Sequence, residues 1–273
     1  MVALGCGALG DARLSERDAE RLVLGALDLG VTLFDSARSY GVSEERLGRL
    51  LRGREATRST KGGYGIDGVM DWSPDAVQGG IERALARLQV ERIDLFHLHS
   101  CPLEVLRRPE LLDALERART AGKIRLACYS GDNAELEWAV GSGRFGAVQA
   151  SINVYDQNNL AAFAGRLGIG VLAKRPLANA TWRGAEPHDE AARAYRSRHQ
   201  QLALVPDGDW DEFAARFTAF SPGVTSILVG TTSLEHLARA VRAVERGPLA
   251  SRLDAEVRTR FERRSAGAWR AMT

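Results

Sequence analysis

Eight short apolar segments alternate with amphipathic helical patterns over the 273 residues, and no linker rich in Pro, Gly or Ser separates them. Strands that alternate with helices favour a parallel sheet, and eight such units predict an α/β fold, the (β/α)8 TIM barrel. We therefore expect residues 1–273 to form one domain. The predicted strands are Val2–Cys6, Val31–Asp35, Arg58–Lys61, Ile93–His99, Ile124–Ser130, Ala147–Ile152, Gly170–Lys174 and Thr225–Gly230.

The helical patterns between the strands begin at recognisable capping residues. Ser15 precedes an acidic first turn, and Ser73 precedes a proline, which suits the first turn of a helix. Thr232, with Glu235 on the same turn, predicts a capping box. A last helical pattern, roughly Asp254–Trp269, predicts an extra C-terminal helix on the outside of the barrel.

The stretch Ala178–Gly208, after the seventh predicted strand, shows no clear periodicity and predicts the longest irregular segment of the chain. Charged residues there are mixed with, or followed by, Trp182, His188, Tyr195 and Trp210. A long loop at the C-terminal end of a barrel strand is often functional, but this composition also suits a mobile, solvated insertion. Both interpretations stay open.

Charge and cysteine usage exclude several classes of partner. The formal net charge of +2 is too small to indicate binding to nucleic acid or to a membrane surface, and no apolar run is long enough to span a bilayer. Cys6, Cys101 and Cys128 are odd in number and widely spaced, which suits a reducing compartment. We therefore expect a soluble, cytoplasmic protein in which Cys101 is a small, partly buried residue rather than a reactive thiol.

The segment Gly5–Gly10 matches the Gly-x-Gly-x-x-Gly fingerprint of dinucleotide-binding domains. That fingerprint requires a helix that opens at once, so that the first amides face a pyrophosphate. Here Asp11–Leu14 stand between the glycines and the predicted N-cap Ser15. We interpret the glycines as a tight loop after the first strand, and a Rossmann domain is the weaker alternative.

His97 and His99 form a second competing motif, because residues two apart on a strand point to the same side. Together they could bind a metal ion, as in a metal-dependent hydrolase, but such a site needs further ligands. The other histidines are His188, His199 and His236, and none ends a predicted strand. We therefore predict no metal site and expect His97 to be a hydrogen-bonded residue inside the barrel.

Asp35, Tyr40, Lys61 and His99 follow or end successive predicted strands, where the barrel fold gathers its chemistry. A phenol is a weak acid, with an unperturbed pKa of about 10, and a neighbouring ammonium stabilises the phenolate and lowers that pKa. A carboxylate can hold the ammonium, and a histidine can orient a substrate oxygen. This group of residues predicts proton transfer to a carbonyl oxygen as hydride reaches its carbon, or the reverse reaction.

The same residues carry a resemblance to the aldo-keto reductase superfamily that covers nearly the whole chain. The segment from Gly30 to Gly41, with Ser43-Glu44 and Leu47-Gly48 beyond it, resembles the first family signature, and the segments that end at Lys61 and His99 resemble two others. The resemblance implies that Asp35, Tyr40, Lys61 and His99 form a catalytic tetrad with Tyr40 as general acid and base. It also implies a nicotinamide dinucleotide, usually NADPH, bound without a Rossmann domain.

The resemblance places further residues at the cofactor. Ser130 and Gln149 stand where the family holds the carboxamide, although Gly131 replaces the expected Asn. Lys174-Arg175-Pro176-Leu177 aligns with a cofactor-contacting segment in which the family often has an aromatic residue at the position of Lys174.

Gly230-Thr231-Thr232-Ser233 precedes the last barrel helix and suits an anion site made of helix N-terminal amides. His236 stands where the family often has an Arg for the 2′-phosphate, and Ala240 where it has an Asn for adenine. NADP(H) is therefore the cofactor that the family implies, NAD(H) is the alternative, and Lys174 or Arg175 is a hypothetical substitute for the missing basic residues.

The predicted activity is reversible, NAD(P)H-dependent reduction of an aldehyde or ketone to an alcohol, with a small-molecule substrate. The alternative is a nicotinamide-nucleotide-binding regulatory subunit with little turnover. We expect the substrate wall to come from Tyr64–Trp72, Cys101–Leu106 and Ala178–Gly208. Compared with the family, the chain starts almost at the first strand and lacks a long C-terminal tail, so we expect no tail over the pocket and allow for a truncated start.

Overall fold

A computed structural model describes residues 1–163, 165–166, 168–187 and 189–273. Its eight parallel strands form a closed barrel in chain order, which confirms the predicted (β/α)8 fold. The strands are β1 (Val2–Gly5), β2 (Leu33–Asp35), β3 (Thr57–Gly62), β4 (Ile93–His99), β5 (Ile124–Ser130), β6 (Ala147–Ser151), β7 (Gly170–Lys174) and β8 (Ser226–Gly230).

The register of the strands brings their C-terminal ends to one mouth of the barrel. Gly5, the last residue of β1, is paired with Asp35 of β2 on one side and with Gly230 of β8 on the other. The predicted strand bounds agree with the observed ones to within two residues. The largest difference is at the start of β2, which was predicted at Val31 and begins at Leu33. The amide of Val31 instead donates to the carbonyl of Ala26, at the C-terminal end of the preceding helix.

The helices cover the outside of the barrel, and most predicted caps are confirmed. Ser15 and Ser73 each accept a hydrogen bond from a first-turn amide. The capping box at Thr232 is wrong by one residue, because Ser233 is the N-cap and accepts from the amide of His236. The α-helices are α1 (Glu16–Asp28), α2 (Ser43–Leu50), α3 (Pro74–Leu88), α4 (Leu103–Leu106), α5 (Pro109–Thr120), α6 (Asn133–Ser142), α7 (Glu190–Leu202), α8 (Trp210–Ala219), α9 (Leu234–Glu245) and α10 (Ser251–Ser265).

The prediction of an irregular segment at residues 178–208 is wrong. A 3-10 helix spans Ala178–Arg183, and α7 follows with Asp189 as its N-cap. Tyr195 and Leu202 of α7 are buried in an apolar cluster with residues of α8 and α10. This buried face was hidden by the high density of Arg and other polar residues on α7. His188 lies outside the described residues.

The extra C-terminal helix is confirmed as α10, although it begins three residues before Asp254 and ends four residues before Trp269. The residues after it return to the mouth of the barrel. Asn133 exchanges two hydrogen bonds with the backbone of Ala271, at 2.9 and 3.1 Å. The buried carboxylate of Asp156 accepts from the amide of Met272 at 2.9 Å. The expectation of no tail over the pocket is therefore wrong, because side chains at the mouth hold the short tail in place.

The main apolar core lies between the strands and the helices that surround them. The interior of the barrel is partly polar, since Ser59, His97 and Gln149 are buried there. Within the described part of the chain, no helix combines the length and the apolar character needed to cross a membrane.

Candidate active site

A cavity of about 640 Å³ opens at the mouth formed by the C-terminal ends of the strands. Asp35, Tyr40, Lys61 and His99 line it, although they come from different segments of the chain. The predicted cofactor residues that also line it are Ser130, Gln149, Lys174, Arg175, Pro176, Leu177, Gly230, Thr231 and His236.

Asp35 and Lys61 form a buried ion pair at the base of this cavity. The ammonium of Lys61 donates to Oδ2 of Asp35 at 2.5 Å and to the carbonyl of Ser36 at 2.6 Å. The same ammonium lies 5.1 Å from the centre of the Tyr40 ring. Asp35 thus fixes the cation, and the cation faces the phenol, as the proton-transfer hypothesis requires.

Tyr40 is positioned by close contact between two loops. A Cβ on Gly10 would lie 1.8 Å from the carbonyl oxygen of Tyr40, and a Cβ on Gly41 would lie 2.3 Å from the carbonyl oxygen of Gly10. Gly41 also has a φ of +49°, which favours glycine. The segment Gly5–Gly10 ends in a short 3-10 helix well before α1, so the predicted tight loop is confirmed and the glycines place the tyrosine.

The expected lowering of the Tyr40 pKa is wrong for the protein without cofactor. The positive charge of Lys61 is the largest single influence and does lower the pKa, but burial, the charge of Asp35 and Tyr64 together raise it above 10.0. The sequence shows the ammonium but not the burial, and burial disfavours the charged phenolate. Tyr40 is therefore a protonated phenol at neutral pH, which suits a proton donor.

His99 is a neutral imidazole in the cavity wall, with its ring centre 6.2 Å from that of Tyr40. Burial, followed by the charges of Lys61 and Lys174, lowers its pKa to about 4. Its Nδ1 lies 3.0 Å from the hydroxyl of Tyr64. A neutral imidazole can donate one hydrogen bond to a substrate oxygen without adding a charge to the site.

His97 lies inside the barrel, below the cavity, as expected. Its Nε2 is 3.1 Å from the hydroxyl of Ser59, and its Nδ1 is 3.4 Å from the carbonyl of Tyr129. Burial lowers its pKa to about 3. Among the residues that the structure describes, no group of three or more His, Cys, Asp or Glu side chains is arranged to bind a metal ion, so the hydrolase alternative gains no support.

Gln149 connects the tetrad to the predicted carboxamide site. Its amide nitrogen donates to Oδ1 of Asp35, which also accepts from Ser59 at 2.7 Å. The hydroxyl of Ser130 lies 3.4 Å from the amide oxygen of Gln149. The hydroxyl oxygen of Ser130 and the second lone pair of the Gln149 amide oxygen are thus left to accept from the NH2 group of a primary carboxamide.

Lys174 and Arg175 line the next part of the cavity with different partners. Lys174 forms an ion pair with the buried Asp132 at 2.8 Å, and burial lowers the pKa of the lysine. Arg175 donates through Nη1 to the hydroxyl of Ser151 at 2.9 Å and to the carbonyl of Met272. Within the described part of the chain, no carboxylate forms an ion pair with Arg175.

The far end of the cavity differs from the sequence prediction. Thr232 and Ser233 do not line it, because the chain turns into α9 there. The amide of Ser233 is bound by the hydroxyl of Thr231 at 3.0 Å, so part of the expected anion site is already occupied. The predicted wall at residues 178–208 contributes Asn179, Ala180, Arg183 and Asp189 to the cavity lining, and Asp211, which the sequence did not single out, also lines it.

Two of the predicted substrate walls contribute less than expected. Residues 64–72 and 101–106 do not line the cavity, although Tyr64 contacts His99 behind it. Cys101 is fully buried, and burial raises its pKa to about 12, so it behaves as an unreactive thiol. Thr273, at the end of the tail, lines the cavity instead.

The aldo/keto reductase family model matches residues 1–257 of the chain. The chain belongs to the aldo/keto reductase family. Among curated relatives, it is 26% identical to L-galactose dehydrogenase of Arabidopsis thaliana, with 89% of this chain and 83% of the relative covered. It is also 26% identical to L-glyceraldehyde 3-phosphate reductase of Escherichia coli O157:H7, with coverages of 83% and 79%.

Solved structures of this family share the fold. The holo form of an aldo-keto reductase from Bacillus halodurans superimposes with a TM-score of 0.81 at 23% identity, and the match covers 95% of this chain and 91% of that one. Aldo-keto reductases use nicotinamide cofactors, and the curated relatives named above are oxidoreductases. The chain is accordingly an oxidoreductase of this family.

Proposed function

We propose that this aldo-keto reductase reversibly reduces an aldehyde or ketone to an alcohol with NADP(H) as its cofactor. The observation that carries the proposal is the convergence of Tyr40, the Lys61–Asp35 ion pair and His99 on one cavity. Ser130 and Gln149 fit a carboxamide beside these groups, and the charge of Arg175 suits a phosphorylated cofactor.

The nicotinamide, when bound, supplies or accepts the hydride at the carbonyl carbon. Tyr40, a protonated phenol, donates its proton to the carbonyl oxygen in the reductive direction. Lys61 stabilises the phenolate that remains, and Asp35 keeps the ammonium in place. His99 donates a hydrogen bond to the same oxygen and orients it. In the oxidative direction, Tyr40 must first lose its proton, and its phenolate, stabilised by Lys61, then accepts the proton of the alcohol.

The variant Tyr40→Phe tests the role of the phenol. We expect turnover to fall by roughly 100-fold or more, because general acid catalysis is lost. The dissociation constant for NADPH, measured by fluorescence titration, should stay within about twofold, since the ring is retained. Full activity in Tyr40→Phe would rule out the proposed mechanism.

Titration of the wild-type protein with NADPH and NADH tests the cofactor, and a carbonyl panel with the preferred one tests the substrate class. The relatives are named for L-galactose and L-glyceraldehyde 3-phosphate, so sugars and sugar phosphates belong in the panel. Tight NADPH binding without turnover on any compound would favour the alternative, a nucleotide-binding regulatory subunit. Tighter binding of NADH would contradict the choice of NADP(H).

A further inference from the structure

Tyr64 contacts His99 in the cavity wall, and its phenol also helps raise the pKa of Tyr40. Its hydroxyl lies 3.0 Å from Nδ1 of His99, and the two rings are 5.9 Å apart at an angle of 39°. His99 lines the cavity, whereas Tyr64 does not. A contact that reaches the substrate through another side chain acts by positioning that side chain.

Close packing on both sides of Tyr64 places its ring. Gly63 has a φ of +112°, and a Cβ there would lie 2.4 Å from the ring of Trp72. Gly65 has a φ of +68°, and a Cβ there would lie 2.4 Å from the guanidinium of Arg38. Trp72 also stacks at a tilt against Tyr64, with ring centres 5.4 Å apart. The phenol is thus held at a fixed place behind His99.

The proton position on His99 decides whether it can bind a carbonyl oxygen. A neutral imidazole carries one N–H, and the other ring nitrogen can only accept a hydrogen bond. A carbonyl oxygen is also only an acceptor, so the nitrogen that faces it must carry the proton. Among the described residues, the hydroxyl of Tyr64 is the one hydrogen-bond partner of the His99 ring, and it bonds Nδ1. Nε2 is therefore the nitrogen left for the substrate.

We propose that Tyr64 is a positioning residue that donates its hydroxyl proton to Nδ1 of His99, so that Nε2–H faces the cavity and binds the carbonyl oxygen. The partner of one ring nitrogen sets the tautomer of a histidine, and here that partner is a phenol packed against the ring of Trp72. The binding of a carbonyl oxygen by Nε2–H rests on the proposed carbonyl reduction. The tautomer itself can be measured without turnover.

The decisive experiment is nitrogen NMR of the full-length protein with 15N-labelled histidine, in the wild type and in Tyr64→Phe. The variant His99→Asn assigns the His99 signals. In the wild type we expect a pyrrole-like Nε2 and a pyridine-like Nδ1 that accepts a hydrogen bond. In Tyr64→Phe we expect a measurable population with the proton on Nδ1. A wild-type proton on Nδ1, or unchanged tautomers in the variant, would overturn the proposal.

The chain offers a matched control, because Tyr155 and His199 form the same type of pair away from the tetrad. The hydroxyl of Tyr155 lies 2.6 Å from Nδ1 of His199. Tyr155→Phe should change the signals of His199 and leave those of His99 and the turnover unchanged. A change at His99 in this control would mean that the NMR signals report general disturbance and would count against the proposal.

Turnover gives the second readout. With the preferred cofactor and a carbonyl substrate, we expect kcat of Tyr64→Phe to fall by roughly tenfold or more, by analogy with partners that orient metal-ligating histidines. The dissociation constant for the cofactor should not change. A shift in tautomer with unchanged kcat, or the reverse, would overturn the proposed role. If the wild type reduces no carbonyl compound, the proposed function fails, and the NMR measurement still decides the Tyr64–His99 relationship.

Discussion

The carbonyl oxygen of Tyr40 occupies the space that any side chain on residue 10 would need. A Cβ built on Gly10 would lie 1.8 Å from that oxygen, which is far inside van der Waals contact. The glycines that imitate a dinucleotide fingerprint therefore allow the first loop of the barrel to touch the loop that carries the catalytic candidate.

The variant Gly10→Ala should displace Tyr40 and reduce turnover by roughly tenfold or more, since small displacements of a catalytic group are costly. Steady-state kinetics and a thermal melt would measure activity and folding separately. Gly141→Ala is the control, because among the described residues a Cβ there meets only the end of the Arg166 side chain, at 3.9 Å. Unchanged kcat in a folded Gly10→Ala protein would show that the contact does not position Tyr40.

Removal of one partner of the Lys61–Asp35 ion pair should strongly destabilise the fold. Lys61→Met leaves the carboxylate of Asp35 buried without its cation, which usually costs about 3–5 kcal/mol. The double variant Asp35→Asn/Lys61→Met should recover most of this loss, because no unpaired charge remains. A double-mutant cycle measures the coupling between the two side chains. It uses the free energies of unfolding in urea of the wild type, Asp35→Asn, Lys61→Met and the double variant. Additive losses would mean that the pair is not coupled.

His97 should make the protein sensitive to acid. Burial lowers its folded-state pKa from 6.5 to about 3, so the unfolded chain binds a proton that the folded one does not. Stability from this group is therefore fully present above pH 6.5 and is lost as the pH falls toward 3, at most at about 1.4 kcal/mol per pH unit. In His97→Gln the free energy of unfolding should depend less on pH in this range. If the free energy of unfolding changed equally with pH in the wild type and in His97→Gln, His97 would not be the source of the acid sensitivity.

Asp156 should make the protein less stable as the pH rises, which is the opposite of the effect of His97. Burial raises its pKa from 3.8 to about 7, so the folded protein keeps a proton that the unfolded chain loses. The stability that this carboxyl group contributes is present below pH 3.8 and is lost as the pH rises through 7. Asp156→Asn, which keeps an acceptor for the amide of Met272, should therefore gain stability over the wild type as the pH rises, at most at about 1.4 kcal/mol per unit.

The matched control for this measurement is Asp67→Asn, at a side chain that is 95% exposed. Its difference from the wild type should stay nearly constant between pH 4 and pH 7. A constant difference for Asp156→Asn as well would mean that the buried carboxyl does not hold a proton in the folded state.

The sequence was sufficient for the features that depend on local pattern. The apolar and β-branched runs predicted every strand of the barrel, and Ser15 and Ser73 predicted two helix starts. The helix α7 was missed because its buried face rests on Tyr195 and small residues among many charges. That residues 1–273 form one domain, and that the protein is cytoplasmic, stay predictions.

Features that depend on three-dimensional surroundings were not readable from the sequence. The rise in the Tyr40 pKa comes from burial and from Asp35 and Tyr64, which outweigh the lysine that sequence reasoning emphasised. The placement of Thr232 and Ser233 away from the cavity depends on which hydroxyl caps α9. The roles of the lining residues toward cofactor and substrate stay proposals.

The polar interior of the barrel has a consequence for attempts to engineer heat resistance. Ser59 and Gln149 both donate to the buried carboxylate of Asp35, and His97 lies within hydrogen-bond distance of these two side chains. Removal of these donors would leave the buried carboxylate of Asp35 with fewer hydrogen bonds, which costs stability. Substitutions here would therefore lower the melting temperature and loosen the support of the tetrad together, and stabilising changes are better placed on the outer helices.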